Sequence, residues 1–251
     1  LYIGFGDGGS TRNGNPELTH NLNSPLGTIL RINPTGDNSR NGHYGIPTDN
    51  PFVSAKDTAV WSEIYAWGFR NPHRLTWDHL NEGRLLANEV GERLFEEINV
   101  VIPGRDYGWN VRDAHLHYDA ATEKESAPPA GILATDESFE LPLAIYSHFE
   151  GNAISGGFVY RGSVPELQGK YIFGDIVSGR IFCLDVTHQT AGYQQIYELE
   201  IDDGSGNLTS LRELTKRGRV DLRFGEDADG ELYIMTKPDG KIRHVIAAPV
   251  R

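Results

Sequence analysis

Apolar and polar residues alternate over short stretches of this chain, and clusters of Gly, Pro, Asp and Asn separate these stretches. A period of two is typical of β-strands, whereas a helix repeats its apolar positions every three to four residues. No stretch keeps a helical period over three turns. The pattern predicts an all-β fold, with strands at residues 1–5, 28–32, 63–68, 84–87, 97–102, 156–161, 170–174, 179–185 and 231–236.

The spacing of the turns indicates how these strands group. Two Asp-Gly pairs, at 229–230 and 239–240, flank the last predicted strand and fit hairpin turns. A β-propeller repeats four-stranded units of about 40–45 residues, so this length supplies about four to five blades. A pair of packed sheets is the alternative. The polar segment at about residues 110–140 lacks periodicity and predicts a long loop insertion, either a lid or a mobile surface loop.

Composition and charge narrow the classes of partner. The chain has 251 residues and a formal net charge of −12, which disfavours nucleic acid and anionic membranes as partners. This charge suits neutral or cationic small ligands and divalent cations. No apolar run is long enough to cross a bilayer, so we predict no membrane span. Cys183 lies within an apolar strand pattern and is predicted to be buried and unreactive.

The segment at 65–75 contains the first candidate for binding chemistry. Arg70 and Asn71 follow an aromatic run and Gly68, and we predict that Pro72 ends strand pairing there. A guanidinium beside a carboxamide suits planar, oxygen-rich ligands, because both groups can bond carbonyls or carboxylates in one plane. The alternative is an arginine at a strand end that bonds main-chain carbonyls.

Eight segments, in chain order, resemble the soluble quinoprotein glucose/sorbosone dehydrogenase family, which includes aldose sugar dehydrogenases and hedgehog-interacting-protein-like sequences. Any one of these segments is weak, but eight in family order are specific. They are residues 1–9 (LYIGFGDGG), 26–32 (LGTILRI), 44–52 (YGIPTDNPF), 67–72 (WGFRNP), 89–99 (EVGERLFEEIN), 107–109 (YGW), 155–162 (SGGFVYRG) and 169–175 (GKYIFGD).

The resemblance implies a six-bladed β-propeller, present here as a single domain over residues 1–251 that forms an N-terminally incomplete portion of about four to five blades. By this blade count, we expect roughly 80–150 further residues before Leu1. It also implies a pyrroloquinoline quinone (PQQ) cofactor above a calcium ion, and oxidation of a sugar at the anomeric carbon by hydride transfer to the quinone. A periplasmic or extracellular location, a small-molecule sugar substrate and an unidentified electron acceptor follow from the same resemblance.

The resemblance also assigns site residues. Arg70 matches the cation at the developing quinone oxyanion, and Asn71 matches a cofactor contact. The main-chain carbonyls of Gly91 and Glu92 match calcium ligands, although an ordinary glycine-containing turn is the alternative. Asp7 matches the carboxylate that orients a catalytic histidine, which in relatives lies upstream of the segment at 1–9; a turn-forming Asp is the alternative.

Two aromatic residues complete the expected site. Tyr146 and Phe149, with His148 between them, precede the segment at 155–162, where relatives place aromatic groups against substrate and quinone. A place in the apolar core is the alternative. We expect Glu96 and Glu97 to lie on a solvated face at the start of a strand, although both are candidate metal ligands by residue type.

The sequence departs from the glucose dehydrogenase branch where that branch binds the cofactor carboxylates. Val177 or Ser178 occupies the position of a lysine, and Val220 and Leu222 occupy the positions of two arginines. Three nearby arginines could replace the missing cations. However, the alternation of side chains along a strand would place Arg219 and Arg223 on the face opposite Val220 and Leu222. These nearby cations are Arg180, Arg219 and Arg223.

Three functions are compatible with these features. The first is a PQQ- and Ca²⁺-dependent sugar dehydrogenase, an oxidoreductase acting on CH–OH. The second is a non-catalytic calcium-binding propeller that binds a protein or a glycan. A calcium-assisted lactonase is the third and depends on fold analogy alone.

Overall fold

The computed structural model describes residues 1–9, 16–78, 80, 83–119, 122, 124–126, 138–186 and 193–246. Within these residues the chain forms nineteen β-strands, one short α-helix, α1 (Leu211–Thr215), and two 3₁₀ helices, at Pro16–His20 and Pro165–Leu167. The all-β prediction is confirmed. The strands are β1 (Tyr2–Phe5), β2 (Thr28–Arg31), β3 (Ile64–Trp67), β4 (Pro72–Asp78), β5 (Arg84–Glu89), β6 (Phe95–Val100), β7 (Arg112–Asp113), β8 (Leu116–Asp119), β9 (Lys124–Ser126), β10 (Ala144–Ser147), β11 (Ile154–Val159), β12 (Lys170–Asp175), β13 (Ile181–Asp185), β14 (Tyr197–Leu199), β15 (Ile201–Asp202), β16 (Leu208–Thr209), β17 (Leu222–Glu226), β18 (Leu232–Thr236) and β19 (Lys241–His244).

Four of the described sheets follow one another in the manner of propeller blades. Their strand orders are β1-β2-β3, then β4-β5-β6-β10, then β11-β12-β13-β14, then β17-β18-β19. The first strands of these sheets pack in succession: β1 against β4, β4 against β11, and β11 against β17. These four strands therefore form the inner edge of the arrangement, and the other strands of each sheet lie outside them.

The apolar core lies between successive sheets. One cluster, with Ile29, Ala66 and Leu85, joins the first and second sheets. A second cluster, which includes Ile98 and Phe173, joins the second and third sheets, and a third cluster joins the third and fourth. A blade with a neighbour on each face buries both faces of its strands. Its strands therefore lack the alternation of apolar and polar residues that is typical of a sheet with one face in water.

Pro72 begins a strand, so the prediction that it ends strand pairing is wrong. β4 runs from Pro72 to Asp78 and pairs with β5. A proline is tolerated as the first residue of a strand, where its missing N–H breaks no ladder bond. Arg70 and Asn71 thus connect two strands, β3 and β4, that belong to neighbouring sheets.

The predicted insertion at about 110–140 contains regular structure. Its described part includes a small sheet of β7, β8 and β9, while residues 120–121, 123 and 127–137 lie outside the described residues. Cys183 is buried in β13, as predicted, and burial raises the pKa of its thiol. None of the helices in the described part of the chain is both long and apolar enough for a membrane crossing.

Candidate functional site at the β3–β4 connection

The connection between β3 and β4 is held in one conformation by close packing against residues 105–109. Gly68 has φ +77, and a Cβ there would overlap the carboxylate of Asp106, so this position requires glycine. Tyr107 donates its main-chain N–H to Trp67 at 2.9 Å, and Trp109 donates to Gly68 at 2.8 Å. These bonds fix the backbone immediately before Arg70.

The guanidinium of Arg70 is bonded to the loop after β5. Its Nε donates to Oε2 of Glu92 at 2.6 Å, its Nη2 lies 2.5 Å from the same oxygen in an ion pair, and its Nη1 donates to the carbonyl of Val90 at 2.8 Å. The side chains of Arg70 and Glu92 are 20% and 10% exposed. The predicted alternative, an arginine that bonds main-chain carbonyls, describes the bond to Val90, and the role of Arg70 as a ligand contact stays a prediction.

Main-chain bonds bring the two loops together. The N–H of Val90 donates to the carbonyl of Asn71 at 3.1 Å. Gly91 allows the tight turn that follows, because a Cβ at this position would overlap the main-chain oxygen of Phe95. Gly91 and Glu92 therefore lie beside Arg70 and Asn71, as the site assignment requires.

Asp7 follows β1 of the first sheet and contacts the connection between β3 and β4. Its N–H donates to the carbonyl of Arg70 at 2.7 Å, and its carboxylate accepts bonds from the N–H of Gly9 at 2.8 Å and from Nε1 of Trp109 at 3.0 Å. The structure thus groups Asp7, Arg70, Asn71, Gly91 and Glu92 at one end of the first two sheets. Trp109 belongs to this group through its bond to Asp7, and its place in the matched segment at 107–109 is the signal in the sequence that marks it.

Tyr146 and Phe149 lie in different surroundings from each other. Tyr146 is 4% exposed in β10, with its ring beside Phe173 and Phe182, whereas the side chain of Phe149 is 98% exposed. The core alternative therefore describes Tyr146. The role of both residues as cofactor contacts stays a prediction.

A buried acidic pair lies directly behind the Arg70 loop. Glu89 and Glu97 face each other across β5 and β6, and both accept a bond from Nδ2 of Asn99, at 3.2 and 3.1 Å. Glu89 also accepts the main-chain N–H of Arg70. Burial, reinforced by the charge of Glu97, raises the pKa of Glu89 well above its ordinary value, and burial raises the pKa of Glu97 to about 7.

The expectation that Glu96 and Glu97 lie on a solvated face is wrong. Glu96 is 0% exposed and Glu97 is 9% exposed, because β6 is an interior strand between β5 and β10. Hydrogen bonds compensate their burial: Ile154 donates its N–H to Glu96 at 2.8 Å, and Ala114 donates to Glu97 at 2.9 Å.

His148 bonds the second oxygen of Glu96. Its Nε2 lies 2.6 Å from Oε1 of Glu96, and its main-chain N–H donates to the carbonyl of Leu94 at 2.8 Å. The hydrogen bond with Glu96 raises the pKa of His148, while burial raises the pKa of Glu96. The pair therefore holds the loop at 148–152 against the residues that follow Glu92.

Comparison with known proteins identifies the family. A family model described as glucose/sorbosone dehydrogenase matches residues 1–244. The chain belongs to this family.

Similar curated proteins include the HIPL1 protein of Arabidopsis thaliana, at 26% identity over 94% of this chain and 36% of its own length. The aldose sugar dehydrogenase YliI of Escherichia coli is 26% identical over 94% of this chain and 53% of its own length. The Hedgehog-interacting protein of Mus musculus is 30% identical over 94% of this chain and 29% of its own length.

Solved structures confirm the propeller fold. The apo-form of the soluble aldose sugar dehydrogenase of Escherichia coli superposes with a TM-score of 0.64 at 25% identity, over 96% of this chain and 59% of that chain. The PQQ-bound form of the Streptomyces coelicolor aldose sugar dehydrogenase gives a TM-score of 0.59 at 22% identity, over 96% and 54% of the two chains. The chain spans between about a third and about a half of the length of the three curated relatives named above. Four blade-like sheets lie within its described residues.

The donor types at this end of the sheets suit the calcium ion and the quinone that the sequence resemblance implies. Main-chain carbonyls and a carboxylate are the hard oxygen donors that calcium takes, and a guanidinium with an amide suits quinone oxygens. No group of three or more His, Cys, Asp or Glu in the described part of the chain is arranged to hold a metal ion. The expected calcium site uses main-chain oxygens and does not need such a group.

Two of the three positions that the resemblance assigns to cofactor carboxylates are buried and apolar. Val220 and Leu222 are both 0% exposed, in the apolar cluster between the third and fourth sheets. The three nearby arginines bond other groups: Arg180 pairs with Glu198 at 2.5 Å, Arg219 pairs with Asp221 at 2.6 Å, and Arg223 donates to the carbonyl of Leu222 at 2.7 Å.

Proposed function

We propose that this chain forms the cofactor and substrate end of a sugar dehydrogenase that oxidises an aldose hydroxyl at the anomeric carbon with PQQ and Ca²⁺. The observation that carries the proposal is the grouping of Asp7, Arg70, Asn71, Gly91 and Glu92 at one end of two neighbouring sheets. Family membership and the aldose sugar dehydrogenase relative support the substrate class. A periplasmic or extracellular location belongs to the same proposal.

The quinone, when bound, supplies the hydride acceptor. The residues of the chain would bind and orient the cofactor and the sugar and would polarise the reacting groups. In the proposed site, the carbonyls of Gly91 and Glu92 would hold calcium, Asn71 would bond the cofactor, and Arg70 would offer N–H donors to an oxygen that gains negative charge. Asp7 is oriented before any ligand binds, since Gly9 and Trp109 both donate to its carboxylate.

The test uses the full-length protein, because the activity belongs to the whole molecule. Addition of PQQ and Ca²⁺ is expected to change the quinone absorbance and to produce aldose-dependent reduction of a dye acceptor. A panel of aldoses with matched alditols, which lack the anomeric hydroxyl, is the control for position. Unchanged quinone absorbance, or equal rates with aldose and alditol, would contradict the proposal.

A second function, a non-catalytic propeller that binds a protein or a glycan, is favoured by a separate observation. The apolar burial of Val220 and Leu222 removes two cations that the carboxylates of PQQ would otherwise meet. The 30% identity with the Hedgehog-interacting protein is consistent with this reading. Calcium-dependent stability without any PQQ-dependent absorbance change would favour the second function over the first.

A further inference from the structure

Arg74 on β4 lies directly against the start of β11. A Cβ at Gly156 would lie 2.6 Å from the Cβ of Arg74, so glycine at this position leaves room for the arginine. β4 and β11 are the inner strands of the second and third sheets, and they pack against each other. The side chain of Arg74 therefore leaves β4 beside residues 155–157, at the inner edge of the arrangement.

Arg223 on β17 approaches the same part of β11 from the fourth sheet. Its Nη1 donates to the carbonyl of Leu222 at 2.7 Å, and Oγ of Ser155 donates to the same carbonyl at 3.0 Å. Ser155 directly precedes Gly156 in β11. Arg74 and Arg223 thus flank residues 155–156 of one strand, although they come from two different sheets.

The charges of these two arginines act on each other and on His73. Desolvation lowers the pKa of His73, and the charges of Arg74 and Arg223 lower it further. Desolvation and the charge of Arg74 also lower the pKa of Arg223. Like charges shift a pKa in this way only when the groups lie near one another. His73, Arg74 and Arg223 therefore form one cationic cluster at the inner edge of the sheets.

No ion pair among the described residues includes a member of this cluster. Asp221 is a carboxylate whose charge acts on Arg223, but it is paired with Arg219 at 2.6 Å. The guanidinium of Arg74 has no hydrogen-bond partner within the described part of the chain, so its five N–H donors can bond a ligand. In a chain with a net charge of −12, such a cluster marks a place where an anionic ligand would supply the negative charge.

We infer that Arg74 and Arg223 form a carboxylate-binding site at the inner edge of the sheets. A guanidinium fork matches the two oxygens of a carboxylate, and an anion between the two arginines would relieve their repulsion. The inference rests on the proposed function for the source of the carboxylate, and it places one carboxylate of PQQ at this site. Arg74 follows Asn71 by about 10 Å of extended backbone, a distance that a fused three-ring cofactor spans. The two arginines then replace the cations that Val220 and Leu222 do not provide.

The first measurement tests the carboxylate site without PQQ. Isophthalate, a planar dicarboxylate, is titrated into full-length protein by isothermal titration calorimetry, and benzene-1,3-dimethanol is the neutral comparison. Wild type is expected to bind isophthalate and not the diol. Arg74→Gln and Arg223→Gln should each weaken isophthalate binding by about tenfold or more. Arg217→Gln is the matched control and should bind as wild type does, because Arg217 is exposed after α1 and does not belong to the cluster.

Melting temperatures show whether the variants can be compared. Arg74→Gln removes a charge that repels its neighbours, so without ligand it should melt no lower than wild type. Isophthalate should raise the melting temperature of wild type and of Arg217→Gln, but not that of Arg74→Gln. An equal rise in all three proteins would overturn the inference.

The second measurement asks whether the carboxylate belongs to the cofactor. PQQ is titrated into full-length protein with Ca²⁺, and the quinone absorbance is followed. The dissociation constant is expected to rise by about tenfold or more in Arg74→Gln and to stay unchanged in Arg217→Gln. Bound PQQ should also prevent the binding of isophthalate. Simultaneous binding of both would overturn the placement of PQQ and assign the site to a free carboxylate ligand.

The outcomes separate this inference from the proposed function. Equal isophthalate affinities in wild type, Arg74→Gln and Arg223→Gln would overturn the inference, whether or not PQQ binds. Failure of wild type to bind PQQ would instead remove the cofactor from the proposed function. In that case the isophthalate affinities still decide whether Arg74 and Arg223 bind a carboxylate.

Discussion

At the scale of single residues, Arg70 bonds through three nitrogens, and this geometry separates arginine from lysine. Arg70→Lys keeps the charge but cannot bond Glu92 and the carbonyl of Val90 through a planar fork. We expect turnover of the full-length enzyme to fall strongly. Arg70→Ala should lose more, by about 2–4 kcal/mol of transition-state stabilisation if the oxyanion role holds. Steady-state kinetics with PQQ and Ca²⁺ provide the measurement.

The same variants distinguish a site residue from a structural one. Loss of the Arg70 side chain removes a bond to a main-chain carbonyl and leaves Glu92, which is 10% exposed, without its ion pair to Arg70, so the free energy of unfolding should fall by roughly 1–3 kcal/mol while the protein stays folded. A much larger fall in the melting temperature, with turnover per folded molecule unchanged, would make Arg70 a structural tie between the β3–β4 connection and the loop after β5.

His148 gives a pH dependence whose sign follows from its bond to Glu96. This bond raises the pKa of His148 above its unfolded value. Its contribution to stability is therefore complete below the unfolded pKa and is lost as pH rises through the folded pKa. Burial raises the pKa of Glu96 and adds loss in the same direction. We expect His148→Gln to flatten the decline in unfolding free energy between about pH 6 and 8.

Urea denaturation across this pH range measures the effect. The exposed His43 supplies a matched control, and His43→Gln should keep the wild-type slope. Identical slopes in His148→Gln and wild type would show that the His148–Glu96 pair does not titrate with folding.

Residue types at the site could be predicted from the sequence, but their surroundings could not. The matched segments predicted Arg70, Asn71, Gly91 and Asp7 as a group, and the structure brings them together. The burial of Glu96 was not predictable in the same way. A carboxylate in an alternating pattern normally marks a solvated face, and only the packing of one blade against the next buries both faces of β6.

At the scale of elements, the apolar pattern predicted nine strands that the structure contains and missed others, among them β4, β10 and β17. β4 was missed because it begins with proline and carries His73 and Arg74 on its exposed part. β10 and β17 were missed as well, although each pairs with a predicted strand, β6 or β18. Tertiary packing, rather than local preference, forms these strands.

Glycine on β11 is an element-scale requirement that can be tested. A Cβ at Gly157 would overlap the carbonyl of Ile172 on β12, and Thr76 of β4 donates to the carbonyl of Gly157 at 2.6 Å. Gly157→Ala must therefore separate β11 from β12 or from β4. We expect a loss of about 2–4 kcal/mol in the free energy of unfolding, measured by chemical denaturation.

Gly218 provides the control for this substitution. A Cβ at Gly218 would meet no atom within 4 Å, so Gly218→Ala should change the free energy of unfolding by no more than about 0.5 kcal/mol. Equal stabilities of the two variants would mean that the inner strand tolerates a side chain at 157, contrary to the close approach of β11 and β12.

At the scale of the whole molecule, the eight matched segments in family order predicted the propeller fold, whereas no single predicted strand indicates a fold. Four sheets with inner strands in succession agree with the predicted blade number, and the solved relatives share the fold. The net charge of −12 favours binding of a cation at some place on this surface, but it does not say where. The assignment of calcium to the carbonyls of Gly91 and Glu92 comes from the family resemblance of the segment at 89–99.

Calcium removal tests that end of the molecule as a whole. If the carbonyls of Gly91 and Glu92 bind Ca²⁺, the ion would stabilise the loop after β5, which is itself bonded to the β3–β4 connection through Val90. A ligand that binds only the folded state stabilises it by about 2.7 kcal/mol at a hundred times its dissociation constant, so chelation should lower the melting temperature of calcium-loaded full-length protein. Glu92→Gln keeps both carbonyls and should show the same chelator-dependent shift as wild type. A melting temperature that chelator leaves unchanged in calcium-loaded wild type would rule out a stabilising ion at this loop, and loss of the shift in Glu92→Gln alone would assign ligation to the carboxylate instead of the main chain.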